Sequence, residues 1–205
     1  MSTQNKSQKR AKAKKLSKDQ NQAYLSIEKN FKQKDVCLLH GVTSSGKTEI
    51  YIKLIQKEIN KGKQVLYLLP EIALTIQIIK RLQNHFGNKV GVFHSNLNNS
   101  ERVEVWKSVQ GECSVLLGVR SSVYLPFKNL GLVIVDEEHD SSYKQQQPSP
   151  RYNARDSAIY LASLFNAKVL LGSATPSIES YYNAKTTKYG SVSYTHLTLP
   201  TTPYV

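Results

Sequence analysis

The chain has 205 residues, of which 40% are hydrophobic, and this composition predicts one packed domain rather than a disordered chain. Its formal net charge of +13 at pH 7 favours a polyanionic partner. No apolar run reaches the roughly 18 residues that a membrane span needs. The N-terminus also lacks the apolar segment of a signal peptide, so we expect a cytoplasmic protein with no membrane partner.

The chain opens with a basic segment. Residues 1–18 carry seven Lys and Arg side chains and no acid. Such a run is typical of a solvated tail or linker, and it could attract nucleic-acid phosphates independently of the base sequence. A tail with no role in binding is the alternative source of this charge. The two cysteines, Cys37 and Cys113, lie far apart and have no Cys or His at metal-ligand spacing, so we expect buried free thiols.

After this tail, helical and strand-like stretches alternate. The expected strands are Val36–His40, Gln64–Leu69, Val90–His94, Ser114–Gly118, Leu132–Val135 and Lys168–Leu171. The expected helices are Gln20–Asn30, Lys47–Asn60, Leu74–Phe86, Ser100–Val109, Arg155–Phe165 and Ser177–Asn183. The single tryptophan, Trp106, falls on the fourth of these helices beside Val103 and Val109, and we expect it to pack in the core.

Short apolar strands that alternate with helices indicate βαβ units, so the predicted fold class is α/β, a mostly parallel sheet with helices on both faces in three layers. Ligands of such sheets bind at the carboxyl ends of the strands. We assign residues 19–190 to this domain. Residues 191–205 contain no Lys, Arg, Asp or Glu, and we interpret them as an uncharged tail that arose by truncation or splicing.

The first candidate site follows the first predicted strand. Eight residues fit the pattern G-x-x-x-x-G-K-[ST] between a strand and a helix: Gly41, Val42, Thr43, Ser44, Ser45, Gly46, Lys47 and Thr48. In such a loop the backbone N–H groups surround a phosphate, Lys47 reaches the β- and γ-phosphate oxygens, and the Thr48 hydroxyl ligates Mg²⁺. An ordinary Gly/Ser/Thr turn is the alternative, and the flanking strand and helix favour a nucleotide-binding loop.

An acidic run follows the strand "LVIV". In a nucleotide site at this edge of the sheet, Asp136 would hold Mg²⁺ and Glu137 would polarise the attacking water. His139, two residues further on, would sense the γ-phosphate and bond toward Thr175. An acidic surface turn is the alternative reading of this run. A small-molecule kinase has no evident need for a D-E-x-H run, so the pattern favours a hydrolase.

A third candidate segment follows the last predicted strand. Ser173 and Thr175 flank Ala174, and Pro176 stands where a helix begins. Hydroxyl groups at this position would hydrogen-bond the catalytic acids and relay the nucleotide state to another surface. A plain helix cap is the alternative, and only the order of the three segments favours the functional reading.

The order of these motifs resembles that of superfamily 2 helicases. The stretches "GVTSSGKTEIY", "LLPEIALT", "PFKNLGLVIVDEEHDSSYKQQ" and "LLGSATPSIES" are similar to the bacterial replication-restart (PriA-type) helicases from about Leu16 to Gly190. This resemblance implies a RecA-like P-loop NTPase fold and an ATP-dependent 3′-to-5′ DNA helicase that uses ATP and Mg²⁺. It also implies zinc in the full-length family member but not in this chain.

The resemblance further implies partners and contact residues. The partners would be single-stranded and forked DNA, primosome proteins and single-strand-binding protein, in the bacterial cytoplasm at the nucleoid. Gln20 would contact the adenine base. The residues implied to contact DNA are Pro70, Thr75, Arg120, Ser121, Tyr143, Lys144, Arg151, Tyr152 and Arg155. A tyrosine in this set would stack on a base and a cation would meet a phosphate, whereas a solvated polar loop is the alternative for residues 141–155.

The resemblance covers only the first of the two lobes that such a helicase uses. A second lobe supplies an arginine finger in related NTPases. Nothing after Thr175 resembles that lobe, and the zinc-binding cysteines of the family are absent from the sequence. We therefore keep two hypotheses open: the motor lobe of a helicase, and a truncated nucleotide- and DNA-binding module that unwinds nothing by itself.

Overall fold

The computed structural model describes residues 15–42, 46–73 and 75–194. Within these residues the strands are β1 (Val36–Gly41), β2 (Gln64–Leu68), β3 (Val90–Phe93), β4 (Val115–Gly118), β5 (Leu130–Asp136), β6 (Lys168–Ser173) and β7 (Gly190–Tyr194). They form one sheet in the order β3-β4-β2-β5-β6-β1-β7, and every neighbouring pair is parallel. The predicted parallel α/β sheet is thereby confirmed.

Helices cover both faces of the sheet. They are α1 (Lys18–Phe31), α2 (Lys47–Asn60), α3 (Ile76–Phe86), α4 (Asn99–Val109), α5 (Ala154–Leu164) and α6 (Ile178–Lys185). Side chains of α1, α2 and α3 share one hydrophobic cluster with the sheet, and side chains of α4, α5 and α6 share the other. None of the helices in the described part of the chain is long and apolar enough to cross a membrane.

The strands form because their side chains are buried on both faces. In β2, Val65 and Tyr67 pack into the cluster of α2, whereas Leu66 and Leu68 pack into the opposite cluster. Successive side chains of a strand point to opposite faces, so a strand between two helical layers must be apolar throughout. This requirement explains the continuous apolar runs of the sequence.

Strand β7 was not predicted. It pairs in parallel with β1 along residues Gly190 to Tyr194, so Ser191–Tyr194 belong to the sheet and extend the domain past its predicted end at Gly190. Its residues are alternately buried and exposed because β7 lies at the edge of the sheet, and this leaves a polar sequence without a continuous apolar run. Residues 1–14 and 195–205, which include most of both predicted tails, lie outside the described residues.

The predicted packing of Trp106 is wrong, whereas that of the cysteines is confirmed. Trp106 is 46% exposed, because α4 covers the edge strand β3 and buries only Val109 fully. Cys37 and Cys113 are both buried and free. Burial raises the pKa of the Cys37 thiol to about 12, which makes it a poor nucleophile.

Candidate nucleotide-binding site

The three candidate segments meet at one edge of the sheet. Strands β5, β6 and β1 are neighbours and run in parallel, so their carboxyl ends lie side by side. Asp136 is in register with Gly172, and Ser173 is in register with His40. The sheet therefore brings together the loop after β1, the acidic turn after β5 and the segment after β6.

The loop after β1 leads directly into α2. Gly46 is the N-cap residue of this helix, with φ of 81°, in the left-handed region that favours glycine. No side chain caps the start of α2, and although Glu49 N donates to Gly46 O at 3.0 Å, the amides of Lys47 and Thr48 point the same way and could bind an anion. A Cβ on Gly46 would also meet the side-chain amide of Gln20. Thr43, Ser44 and Ser45 of this loop lie outside the described residues.

Lys47 is a buried cation at this helix terminus. Its side chain is only 8% exposed, and its Nζ donates to the carbonyl oxygen of Gly41 at 3.0 Å. The same Nζ lies 3.6 Å from Oε1 of Glu137. The ammonium group thus stands between the loop and the acidic turn. Thr48 follows it in the first turn of α2 and is half-buried.

Three tyrosines hold the carboxyl end of β5. Tyr51 donates to Oδ1 of Asp136 at 2.9 Å, and Tyr67 donates to Oδ2 at 3.1 Å. Tyr143 donates to the backbone carbonyl of Asp136 at 2.7 Å. Gly172 leaves room for this arrangement, because a Cβ there would collide with the Tyr51 hydroxyl. Both oxygens of the carboxylate are therefore fixed in direction.

Burial raises the pKa of the Asp136 carboxyl, and the neighbouring charge of Glu137 raises it further. The hydrogen bond from Tyr51, the charge of Lys47 and the hydrogen bond from Tyr67 act in the opposite direction. Sequence reasoning missed both tyrosines. A detectable signal was the hydroxyl of Tyr67 within the otherwise apolar run "VLYLL", because a buried tyrosine hydroxyl usually requires a hydrogen-bond partner.

The acidic turn has a strained backbone at Glu137, whose φ is 46°. A left-handed conformation costs a residue other than glycine about 1–2 kcal/mol. Backbone hydrogen bonds enforce it, because Asp140 N donates to Glu137 O at 2.8 Å and Glu138 N donates to Gly172 O at 3.0 Å. Strain of this kind is concentrated at functional sites, where the surrounding structure maintains it.

His139 joins the acidic turn to the segment after β6, but its partner differs from the predicted one. Nδ1 of His139 lies 2.8 Å from Oγ of Ser173. The backbone N–H of Thr175 donates to the same Oγ at 3.0 Å. The contact of His139 with Thr175 therefore runs through the hydroxyl of Ser173, the last residue of β6.

Glu138 is a charged residue of this turn to which sequence reasoning gave no role. It is only 2% exposed, and its carboxylate receives hydrogen bonds from Arg155, Ser177 and Ser180. Arg155 is accordingly buried in an ion pair with Glu138 and does not present its guanidinium to a DNA strand. The predicted phosphate contact of Arg155 is therefore wrong.

Two further residues predicted to contact DNA are buried. Tyr143 is 1% exposed and has its hydroxyl on the Asp136 backbone, so its ring is not available to stack on a base. Pro70 is buried at the end of β2. Aromatic character in a loop predicts a contact surface only when the side chain faces outward, and the Tyr143 ring faces inward.

The remaining residues of the predicted DNA surface lie at the carboxyl edge of the sheet. The exposed residues are Thr75, Ser121, Lys144 and Arg151. Arg120 donates to the backbone carbonyls of Ser142 and Lys144, at 3.3 and 3.2 Å. Tyr152 is half-buried with its ring edge-to-face against Tyr124. A cleft of about 170 Å³ lies among the ends of β2, β3 and β4, and Arg120, Ser121 and Ser142 contribute to its lining.

A parallel sheet with a G-x-x-x-x-G-K-[ST] loop after β1 and an acidic pair at the end of β5 defines the P-loop NTPase class. The family profile described as DEAD/DEAH box helicase matches residues 17–184, so the chain belongs to the DEAD/DEAH box helicase family. Solved helicase structures share its RecA-like fold. RecG bound to a three-way DNA junction has a TM-score of 0.64 at 23% identity and covers 94% of this chain and 25% of its own. The DUF1998 helicase MrfA bound to DNA has a TM-score of 0.63 at 17% identity, and the match covers 88% of this chain and 27% of the MrfA chain.

Curated relatives are more similar in sequence. The chain is 52% identical over 158 residues to the replication restart protein PriA of Chlamydia trachomatis, a match that covers 77% of this chain and 21% of that protein. It is 47% identical over 162 residues to PriA of Bacillus subtilis, which covers 78% of this chain and 20% of that protein. The chain thus spans about a fifth of the length of these relatives.

We predict that Asp136→Asn stabilises the chain in the absence of nucleotide. Because the folded state raises the pKa of Asp136, its charge destabilises the fold above that pKa, and the penalty fades as the pH falls toward the ordinary aspartate value. Urea denaturation at pH 7 should show a gain of about 0.5–2 kcal/mol. The gain should shrink at acidic pH.

Asp140→Asn is the matched control for this experiment. Hydrogen bonds from Ser142 lower the pKa of Asp140, so neutralising this carboxylate should reduce stability at pH 7. A loss of stability in Asp136→Asn at pH 7 would contradict the electrostatic description of the site.

Proposed function

We propose that this chain is the ATP-binding motor lobe of a DNA helicase that couples ATP hydrolysis to 3′-to-5′ movement along single-stranded DNA, in replication restart and primosome assembly. The observation that carries the proposal is the meeting of Lys47, Asp136 and Glu137 beside the uncapped N-terminus of α2. The similarity to PriA proteins supports the replication-restart assignment, and family membership supports the helicase assignment.

The residues present fit ATP. The first amides of α2, which no side chain caps, are donors for phosphate oxygens, and the Lys47 ammonium is near enough to exchange its bond with Gly41 for the β- and γ-phosphates. Gln20, whose Nε2 lies 3.5 Å from the carbonyl oxygen of Gly46, would recognise the adenine base. The phosphoanhydride of ATP supplies the free energy for movement.

The site also fits Mg²⁺. This hard cation prefers oxygen ligands and is usually bound by one or two protein groups together with the phosphates and water. Thr48 and Asp136 would provide these oxygens. The described residues contain no group of three side chains able to hold a metal ion, and Mg²⁺ bound in this way does not require one. The zinc that the resemblance implies for a full-length family member would not be held by the residues of this chain.

Glu137 would polarise the attacking water, and its strained backbone would hold the carboxylate toward the γ-phosphate. His139 would sense that phosphate and report to Ser173. The carboxylate of Glu137 lies 3.6 Å from Lys47 and 3.8 Å from His139, so a γ-phosphate that bound between them would change both contacts.

We assign the surface around the cleft at the ends of β2, β3 and β4 to DNA. Arg120 and Ser121 line this cleft, and the exposed cations Lys144 and Arg151 lie on the loop beside it. Thr75 and Tyr152 would complete the contacts with single-stranded or forked DNA. Primosome proteins and single-strand-binding protein would be further partners, at the nucleoid in the bacterial cytoplasm.

The alternative function is a nucleotide- and DNA-binding module that is catalytically incomplete by itself. The observation that favours it is the span of the chain, about a fifth of the length of its relatives. The same residues would bind ATP under both functions. The two functions differ in the ATP hydrolysis expected of the 205-residue chain alone.

Lys47→Ala tests nucleotide binding. Because Lys47 is the buried cation of the phosphate site, we expect its loss to weaken binding of a fluorescent ATP analogue with Mg²⁺ by at least tenfold, about 1.4 kcal/mol. Lys53→Ala, an exposed lysine on the same helix, should leave the affinity unchanged. Equal affinities for the wild type and Lys47→Ala would refute the assignment of the phosphate site.

Arg151→Ala tests the DNA surface. An exposed cation that contacts a phosphate contributes to affinity in a salt-dependent way, so the variant should bind single-stranded DNA more weakly and with a shallower salt slope. Fluorescence anisotropy at several salt concentrations measures both, and ATP affinity should not change. Lys61→Ala, which removes an exposed cation at the C-terminal end of α2, is the control. An equal loss of DNA affinity in both variants would point to non-specific electrostatic attraction.

Steady-state hydrolysis by the chain alone separates the two functions. Because the 205 residues span about a fifth of the length of the relatives and the proposed arginine finger would come from a second lobe, we expect these residues alone to hydrolyse ATP slowly, with little stimulation by single-stranded DNA. Rapid, DNA-stimulated turnover would show instead that the chain is a complete motor.

A further inference from the structure

Glu138 links three segments of the fold. Its Oε2 receives hydrogen bonds from Nη1 of Arg155 at 3.1 Å, from Oγ of Ser177 at 3.0 Å and from Oγ of Ser180 at 2.8 Å. Its Oε1 receives one from the backbone N–H of Ser177 at 2.8 Å. The carboxylate is completely buried, so no solvent competes for these bonds.

The partners of Glu138 belong to the first turns of two helices. Arg155 lies in the first turn of α5, Ser177 is the N-cap residue of α6, and Ser180 follows in the first turn of α6. Arg155 also donates to the Ser177 hydroxyl at 2.7 Å, which closes the cluster. The starts of α5 and α6 are thus both tied to the turn at the end of β5.

Stability alone is a weak reason for such a cluster. An apolar group of similar volume often replaces a buried ion pair with no loss of stability, because desolvation of the two charges offsets their attraction. The pair does, however, fix the orientation of the groups that it joins, because each hydrogen bond restricts an angle as well as a distance. The residue that the cluster fixes stands between Glu137, with its strained φ of 46°, and His139.

We propose that Glu138 is a positioning residue of the nucleotide site. Its buried bonds to Arg155 and Ser177 hold the acidic turn so that Glu137 faces Lys47 and His139 faces Ser173. Glu138 touches no reacting group and acts through its two neighbours. This inference rests on the proposed function, because the geometry that it maintains matters only if a γ-phosphate binds between those side chains.

Glu138→Gln in the full 205-residue chain tests the proposal. Glutamine keeps the volume, but its NH₂ group would replace a carboxylate oxygen that faces the donors of Arg155 and the two serines. Titrations with fluorescent analogues of ATP and ADP, both with Mg²⁺, measure the two affinities separately. The loop after β1 and α2 would hold either nucleotide, whereas only the γ-phosphate of ATP would reach Glu137 and His139.

We expect Glu138→Gln to weaken ATP binding about tenfold, which is the effect of losing one hydrogen bond to a charged group. The affinity for ADP should stay within about twofold of the wild-type value. Arg155→Gln should reproduce this selective loss and serves as the second variant if Glu138→Gln unfolds. Asp156→Asn is the matched control, because it neutralises an exposed partner of Arg155 and leaves the bond to Glu138 intact. Its ATP and ADP affinities should equal those of the wild type.

Thermal unfolding of every variant distinguishes a positioning role of Glu138 from a purely structural one. A lower Tm with equal changes in ATP and ADP affinity would overturn the proposal, since Glu138 would then have only a structural role. Unchanged affinities in Glu138→Gln and Arg155→Gln would overturn it as well. If the wild-type chain binds neither nucleotide, the proposed function itself fails, and this outcome is distinct from failure of the positioning role.

Discussion

The site depends on the parallel order of β5, β6 and β1. The chain crosses from the loop at Gly46 to the acidic turn through α2, α3 and α4 and returns to Ser173 through α5, yet the three segments end side by side. An antiparallel neighbour would place one of these segments at the opposite edge of the sheet. The helical layers that make the strands fully buried are therefore also what bring the charged groups together.

That convergence has an electrostatic cost. Asp136 and Glu137 are adjacent, partly buried acids, and desolvation together with the charge of Glu137 raises the pKa of Asp136. Two tyrosine hydroxyls and the Lys47 ammonium offset part of this cost in the protein alone. A triphosphate with its divalent cation would supply the missing positive charge beside the acids and a better partner for Lys47. The proposed ATP and Mg²⁺ together carry both of these charges.

Much of the fold was predictable because two strong signals agree. Continuous apolar runs separated by helical stretches predicted six strands in nearly their observed positions, and the spacing of Gly41, Gly46 and Lys47 predicted the loop between β1 and α2. The edge strand β7 escaped this reasoning because one of its faces is exposed and its sequence is polar. Trp106 escaped it because helical spacing indicates a face but not what covers that face.

The candidate site was predictable only in part. Local motifs located Lys47, Asp136 and His139, since their roles follow from positions within one short segment. Tyr51 and Glu138 could not be assigned in this way, because their partners lie far along the chain: the Tyr51 hydroxyl meets Asp136, and Glu138 meets Arg155 and α6. Tyr143 and Arg155 are buried because each bonds to the acidic turn, Tyr143 to the Asp136 carbonyl and Arg155 to Glu138, and no local pattern in the sequence reveals these bonds.

The most direct test of this description is a crystal structure of the chain with Mg²⁺ and a non-hydrolysable ATP analogue. The description predicts that Lys47 Nζ leaves the Gly41 carbonyl for the β- and γ-phosphates, with the cation between the Thr48 hydroxyl and Asp136. A triphosphate bound elsewhere, with Lys47 still on Gly41 and Glu137, would contradict it.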